Sequence, residues 1–300
     1  MALLAATQGT PERLWAIVKV VAAHGGTMAR AELQKWLKPR FDGVVDPGRD
    51  EKDRGLVNQT VQAAAGLGLI ESQRDRVELL ITSVPADIQG FADLVHGMLV
   101  AQLPQSADAD ILDAFACAVI QTEVLGNRQW LSEWTAAQIA DLLTRSLAPR
   151  AAESTDQRFN TSRPATWLRW LEFVGLNETL SSRTTLLSVT NRLKRELAVS
   201  DLPRGGPVGA ADFVNWVAAT LPYLDNGALF LAASKRMGHV PTPTLSRLLS
   251  AALRDLHEDE VIRLVVPRGD AQVSVRMTPD PFAQVQGFNA VVLNEDSFDD

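Results

Sequence analysis

The sequence predicts a mainly α protein with small β-hairpin wings, arranged as about three tandem winged helix-turn-helix units. Two observations predict it. One local order recurs three times: an amphipathic helix, a short apolar strand, a polar turn carrying Arg, and an apolar strand with alternating pattern. The apolar residues before each turn return at i, i+3, i+4 and i+7, and those after it return at every second position, so the period changes from helix to strand.

The first unit begins with Leu14, Ile17, Val18, Val21 and Ala22 on one helical face, stopped by Gly25 and Gly26. A second helix carries Leu33, Trp36 and Leu37, and a third turns Val57, Val61 and Ala64 inward. Leu67 to Ile70, a turn at Ser72-Gln73-Arg74-Asp75, and Val77, Leu79 and Ile81 then form the wing. The second unit starts with Ile111, Phe115 and Val119. Its next helix opens on a capping box, Thr135 to Gln138, and continues through Ile139, Leu142 and Leu143. After a polar stretch, Ala148 to Ser162, the third helix places Trp167, Trp170, Leu171 and Val174 on one stripe, with Pro164 tolerated in its first turn. Its wing is Glu178 to Leu180, a turn at Ser181-Ser182-Arg183, and Thr184 to Val189, followed by a charged helix, Asn191 to Ala198.

Leu202 to Pro207 carries two prolines and two glycines and reads as a linker. The third unit has Phe213, Trp216, Val217 and Leu221 on one face, then a helix with Leu245, Leu248, Leu249, Ala252, Leu253 and Leu256 inward. Its wing joins Val261 to Val266 to Val273, Val275 and Met277 through Pro267-Arg268-Gly269-Asp270. The expected domains are residues 1–88, 89–201 (a helical segment plus the second winged helix) and 207–280, with an acidic flexible tail at 281–300. Most tryptophans, among them Trp15, Trp36, Trp170 and Trp216, fall on inward stripes and are expected in the core.

With 300 residues, 46% of them apolar, the chain can bury two or three cores. Cys117 has no second thiol to pair with and sits in an apolar run, so a buried reduced thiol is expected. No apolar run reaches the roughly 18 residues of a membrane span, and Met1 to Ala6 is too short for a signal-peptide core, so a cytoplasmic protein is expected. A net charge of −7 argues against indiscriminate nucleic-acid binding. The charge is uneven, however: residues 84–144 hold one base against eight acids, and residues 145–204 hold ten bases against six acids. A local basic face on an acidic protein is therefore compatible with the sequence.

No phosphate loop, dinucleotide fingerprint, HExxH or CxxC pair occurs, so the expectation is a non-enzymatic protein with no cofactor, metal or small-molecule ligand. His257-Glu258-Asp259-Glu260 reads as a solvated helix end, and Asp108, Asp110 and Asp113 as an acidic first turn facing a helix dipole. Arg268-Gly269-Asp270 reads as a hairpin turn. The candidate nucleic-acid residues lie on third helices and wings. In unit one, Asn58, Gln59 and Gln62 carry amides able to address adenine edges, and Arg74 and Arg76 sit on the wing. The bland alternative is a solvated polar helix face. In unit two, Arg158, Arg163, Arg169, Arg183, Arg192, Lys194 and Arg195 would form a phosphate-tracking strip if they converged. Arg247, Arg254 and Arg268 are a weaker copy in unit three. The competing class is a scaffold whose winged helices dock proteins without touching nucleic acid.

The segments Met1 to Leu4, Pro11 to Trp15, Leu56-Val57-Asn58-Gln59-Thr60-Val61, Leu67 to Glu71 and Trp167 to Leu176 resemble the DpdG family of the bacterial gene cluster associated with 7-deazaguanine modification of DNA. The resemblance spans most of the chain. It implies a non-catalytic accessory protein of a DNA-modification and restriction system, positioning duplex DNA or the other proteins of the cluster. It carries over no functional residue.

Overall fold

Local chemistry sets the first helix, α1 (Pro11–Ala23): Pro11 occupies the first turn, where no N–H is needed, and Gly25 and Gly26 end it at φ 73° and 83°. The amide of Gly26 closes back on the Val21 carbonyl at 3.0 Å, and its own carbonyl accepts from Leu79 at 2.9 Å. In this computed structural model residues 3–37, 49–102, 106, 108–148, 158–181, 184–266 and 274–294 are described, with 49–54 and 181 described by backbone alone. The described residues form twelve helices and small antiparallel sheets. None of these helices is long and apolar enough to cross a membrane.

The elements after α1 are β1 (Thr27–Ala29), α2 (Arg30–Leu37), α3 (Arg49–Gly66), β2 (Ile70–Ser72), β3 (Arg76–Leu79) and α4 (Ile88–Val100). The chain divides into two compact units, Met1–Ile111 with Ala165–Val174, and Leu112–Pro164 with Gly175–Asp300. Residues 165–174, expected in the second domain, thus lie in the first unit.

In the first unit β3 lies between β1 and β2, antiparallel to both, with Met28 opposite Val77 and Ser72 opposite Val77 on its two sides. Leu14, Ile17, Val18 and Val21 of α1 and Val57, Val61 and Ala64 of α3 are buried together with Val77. The predicted stripes and the predicted hairpin are therefore present. Trp36 departs from expectation. It is 57% exposed, because the short α2 buries only Leu33 and leaves the indole edge-on to His24 at 5.7 Å. Trp15 and Trp216 are half-buried, whereas Trp170 is fully buried. Asp87 caps α4 by accepting from Gly90 N at 2.7 Å, and Phe91 of α4 meets Trp15 at 5.0 Å and Phe173 at 5.9 Å.

The second unit is built on α5 (Asp110–Leu125), in which every residue from Leu112 to Thr122 is buried. A helix apolar all round belongs inside a core. In chain order there follow α6 (Trp130–Glu133), α7 (Ala136–Ser146), α8 (Arg163–Phe173), which from Ala165 onward belongs to the first unit, β4 (Asn177–Ser181), β5 (Thr184–Leu187) and α9 (Thr190–Ala198). The capping box forms as the sequence predicts: Gln138 N donates to Thr135 Oγ1 at 3.3 Å and Thr135 N to Gln138 Oε1 at 2.8 Å. Strands β4 and β5 make the second predicted hairpin, with a bulge between Thr179 and Ser181. Cys117 is buried and reduced. Burial, with Asp113 adding to it, pushes its thiol up to about 11, so it stays protonated and inert. Beside it Arg236 donates to Ser146 O at 2.8 Å and to Asp113 Oδ1, and Ala148 N reaches Asp113 Oδ2 at 3.4 Å.

The remaining elements are β6 (Pro207–Gly209), α10 (Ala210–Thr220), α11 (Ala228–Met237), α12 (Arg247–Glu258), β7 (Ile262–Val265), β8 (Val275–Arg276), β9 (Gly287–Phe288) and β10 (Ala290–Leu293). Here the structure corrects the sequence reading. Among the described residues strand β7 does not pair with the run ending at Met277. It pairs with β10, Leu264 opposite Val291, while β8 pairs with β9, Val275 opposite Phe288. The expected turn at 267–270 lies outside the described residues. The expected tail at 281–300 supplies β9 and β10, and Val291, Val292 and Leu293 are buried. Ala290-Val291-Val292-Leu293 lacks alternation because it is a central strand, and such runs carry no period-two signal. The sheet order β6-β10-β7 repeats the order β1-β3-β2 of the first unit. Taken with α9, α10 and α12, the first unit's helix, strand, helix, helix, strand, strand series recurs, enlarged by α11 and by β8 and β9.

A buried carboxylate, Asp225, and a half-buried one, Glu123, fix the start of α12. Asp225 accepts from Ser246 N and Oγ, each at 2.6 Å, and Glu123 accepts from Arg247 N at 2.6 Å. Burial is the main cause that pushes both carboxyls above their ordinary range. A raised folded-state pKa means that the folded protein holds the proton more tightly than the unfolded chain. The resulting stability is fully present below the unfolded pKa, about 4, and is lost as pH rises through the folded one. Urea unfolding should therefore show the wild-type protein losing more stability from pH 5 to 7 than Glu123→Gln. Equal slopes in the two proteins would show that Glu123 does not contribute.

Candidate nucleic-acid interface

Helix α3 buries Val57, Val61 and Ala64, and helical geometry therefore turns Asn58, Gln59 and Gln62 toward the other side. Gln62 is exposed, and Asn58 and Gln59 are half-buried. Sequence reasoning missed the group that organises this face. Arg30, the first residue of α2, donates through Nη2 to Asn58 Oδ1 at 2.9 Å and through Nη1 to Ser72 Oγ at 3.4 Å. Its backbone amide binds the carbonyl of Asp75 in the hairpin turn at 2.9 Å. One residue thus ties α2, α3 and the β2–β3 turn together, across sequence separations that no local pattern reveals. Arg30, Gln62, Ala65 and Ser72 line an open concavity of about 520 Å³.

The Asn58 oxygen is occupied by Arg30, so what this side chain can offer a ligand is its N–H donors rather than a bidentate amide. The Gln59 oxygen accepts from Gln8 N at 3.3 Å. On the hairpin, Arg76 pairs with Glu78 at 3.3 Å and donates to Thr27 Oγ1 at 3.2 Å, which offsets its charge locally. Arg74 is exposed at the tip and forms no ion pair among the described residues.

The arginines expected as a strip in unit two do not act alike. Arg158 donates to the Ala148 carbonyl and Arg163 to the Arg158 carbonyl, so both hold backbone. Arg192 is 2% exposed and ion-paired with Glu196 at 3.2 Å, and in this position it cannot meet a phosphate. Its place on α9 beside Leu193 and Leu197 explains the burial, because a long guanidinium stem packs like an apolar side chain. Arg169 and Lys194 are exposed, and Arg195 is half-buried. Arg183 and Arg268 lie outside the described residues. Arg254, expected on an outward face, is buried and bonded to main-chain carbonyls.

The acidic triplet is likewise used internally. Asp108 accepts from Leu3 N at 2.5 Å, and Asp113 pairs with Arg236. No cluster of His, Cys, Asp and Glu able to hold a metal occurs among the described residues.

A family model described as DpdG-like matches residues 1–267. The chain belongs to the DpdG-like family. That membership associates it with the Dpd DNA-modification system. The DpdG-like match takes in all twelve helices of the described residues and ends just past β7, leaving β8, β9 and β10 beyond it. No curated protein and no solved structure matches the chain.

Proposed function

We propose that this protein is a non-enzymatic, cytoplasmic accessory component of the Dpd system that holds duplex DNA on the α3 face of a winged helix in its first unit. The observation that carries the reading is the Arg30-centred face: one guanidinium, Asn58, Gln62 and the exposed Arg74 on a helix-strand-helix-helix-strand-strand frame. Winged helices in general lay their third helix along the major groove and their hairpin against phosphates. In this arrangement Arg30 and Gln62 meet base edges and Arg74 meets the backbone. Arg76, paired with Glu78, contributes less.

Fluorescence anisotropy with a labelled duplex, a single strand and an RNA hairpin, at several salt concentrations, tests this. Micromolar duplex affinity that falls steeply with salt is expected. Arg74→Ala should shallow the log–log salt slope by about 0.9, one phosphate contact. Arg30→Ala should weaken binding by roughly tenfold, the scale of one lost base contact. No duplex binding at low salt, or variants indistinguishable from wild type, would overturn the proposal.

A docking role for the same unit rests on Trp36, 57% exposed on α2, since exposed tryptophans are favoured interface anchors. In that reading a protein of the same gene cluster co-purifies from the native host after nuclease treatment, and Trp36→Ser loses it.

A further inference from the structure

We infer that the second unit carries a pocket for a single nucleotide, its phosphate held by Arg128 and Arg247 and its base stacked on Phe282. The pocket lies on α12, which occupies in the repeated series the place that α3 occupies in the first unit. Arg247, Ala251 and Arg254 follow i, i+4, i+7 spacing and form its floor. As in the first unit the face is half-open; on α12 it is bordered by residues 278–282, a partial roof, and by the α5–α6 turn, which bound a pocket of about 360 Å³.

The roof is bolted to the floor. Arg254 donates to Val285 O at 3.0 Å and to Thr278 O at 2.8 Å, and Ser250 Oγ accepts from Thr278 N at 2.9 Å. A cavity of this size, near the lower end of the ~300–1,000 Å³ range of small-ligand sites, has no room for a duplex.

The chemistry inside selects the ligand class. Arg254 is committed to the roof; burial lowers its pKa, and the nearby Asp280 offsets part of that. Arg128 is half-buried and forms no ion pair among the described residues, and Arg247 Nε is buried with no hydrogen-bond partner among them. A guanidinium nitrogen withdrawn from water with no acceptor is a costly arrangement that a phosphate oxygen would relieve. At the rim stands Phe282, 95% exposed. Its ring contributes nothing to the core, and an exposed aromatic beside free guanidiniums is the pairing by which proteins hold unpaired nucleotides. Asp280 places a carboxylate on the Phe282 side, and at the other end Glu123 is engaged by Arg247 N at 2.6 Å, so it is the two guanidiniums of Arg128 and Arg247 that place the phosphate there.

Isothermal titration of the full chain with dGMP, with inorganic phosphate, with deoxyguanosine and with a pentanucleotide tests this. Binding of dGMP is expected to be at least tenfold tighter than that of phosphate or of the nucleoside. Phe282→Ala should weaken it roughly tenfold, on the scale of one lost stacking contact, and Arg128→Ala should weaken it while flattening its salt dependence. Phe282 is at the surface and the half-buried Arg128 forms no ion pair among the described residues, so the fold survives either change, and Arg74→Ala leaves nucleotide affinity unchanged, which separates this site from duplex contact. Binding of dGMP marks a free-nucleotide site. Binding of the pentanucleotide alone, lost in Phe282→Ala, marks a site for one nucleotide of a strand. No binding of either, or binding that Phe282→Ala and Arg128→Ala leave intact, overturns the inference.

Discussion

Arg236→Met should lower the unfolding free energy of the second unit by about 2 to 3 kcal/mol, less than the cost of removing one partner of a fully buried ion pair because the Arg236 side chain is 21% exposed. The guanidinium pairs with Asp113 Oδ1, donates to Ser146 O and lies 3.7 Å from Cys117 Sγ. Met keeps much of the volume but leaves the Asp113 carboxylate, 12% exposed, without its counter-charge. The Asp113→Leu, Arg236→Met double variant should recover much of the loss, because exchanging a buried pair for apolar groups is often neutral. Urea unfolding of wild type, both single variants and the double variant checks this as a cycle. A double variant no more stable than Arg236→Met would show that the residues do not act as a pair.

Arg254→Met is expected to cost about 3 kcal/mol in the same assay, since it strips the buried donor from the Val285 and Thr278 carbonyls. The damage should be local. Amide exchange should accelerate at 276–288, where Gln286 in turn holds Asp280 O at 2.6 Å and Ala283 O at 2.9 Å, while α1 and α3 keep their protection. Uniform acceleration in both units would mean that the clamp supports the whole chain rather than the roof.

Much of the fold was legible because it is written in short-range spacing. The stripe of α1, the glycine stop after it, the capping box of α7, and the hairpins β2–β3 and β4–β5 need only neighbours within a few residues. Pairings across long separations were not legible. The β7–β10 register is one case, and the union of Arg30 with Asn58 and Ser72 is another. Burial of charge was the other blind spot. Arg192 and Arg254 read as surface cations because composition cannot distinguish a guanidinium reaching water from one capping carbonyls inside. The wing residues Arg74 and Arg76 look equivalent in sequence, and only the placement of Glu78 separates them.

Strand β10 has a consequence for how the protein is made. It lies between β6 and β7 yet follows both in the chain, so during synthesis those two strands emerge with no partner for one another. Until residues 290–293 clear the ribosome, β6 and β7 present open hydrogen-bonding edges, the feature that draws nascent chains into aggregation. The first unit's sheet closes within Thr27 to Leu79 and escapes this interval. A stalled or prematurely ended chain would therefore carry one finished unit and one exposed seam, and the cell's holding chaperones would meet it at β6 and β7.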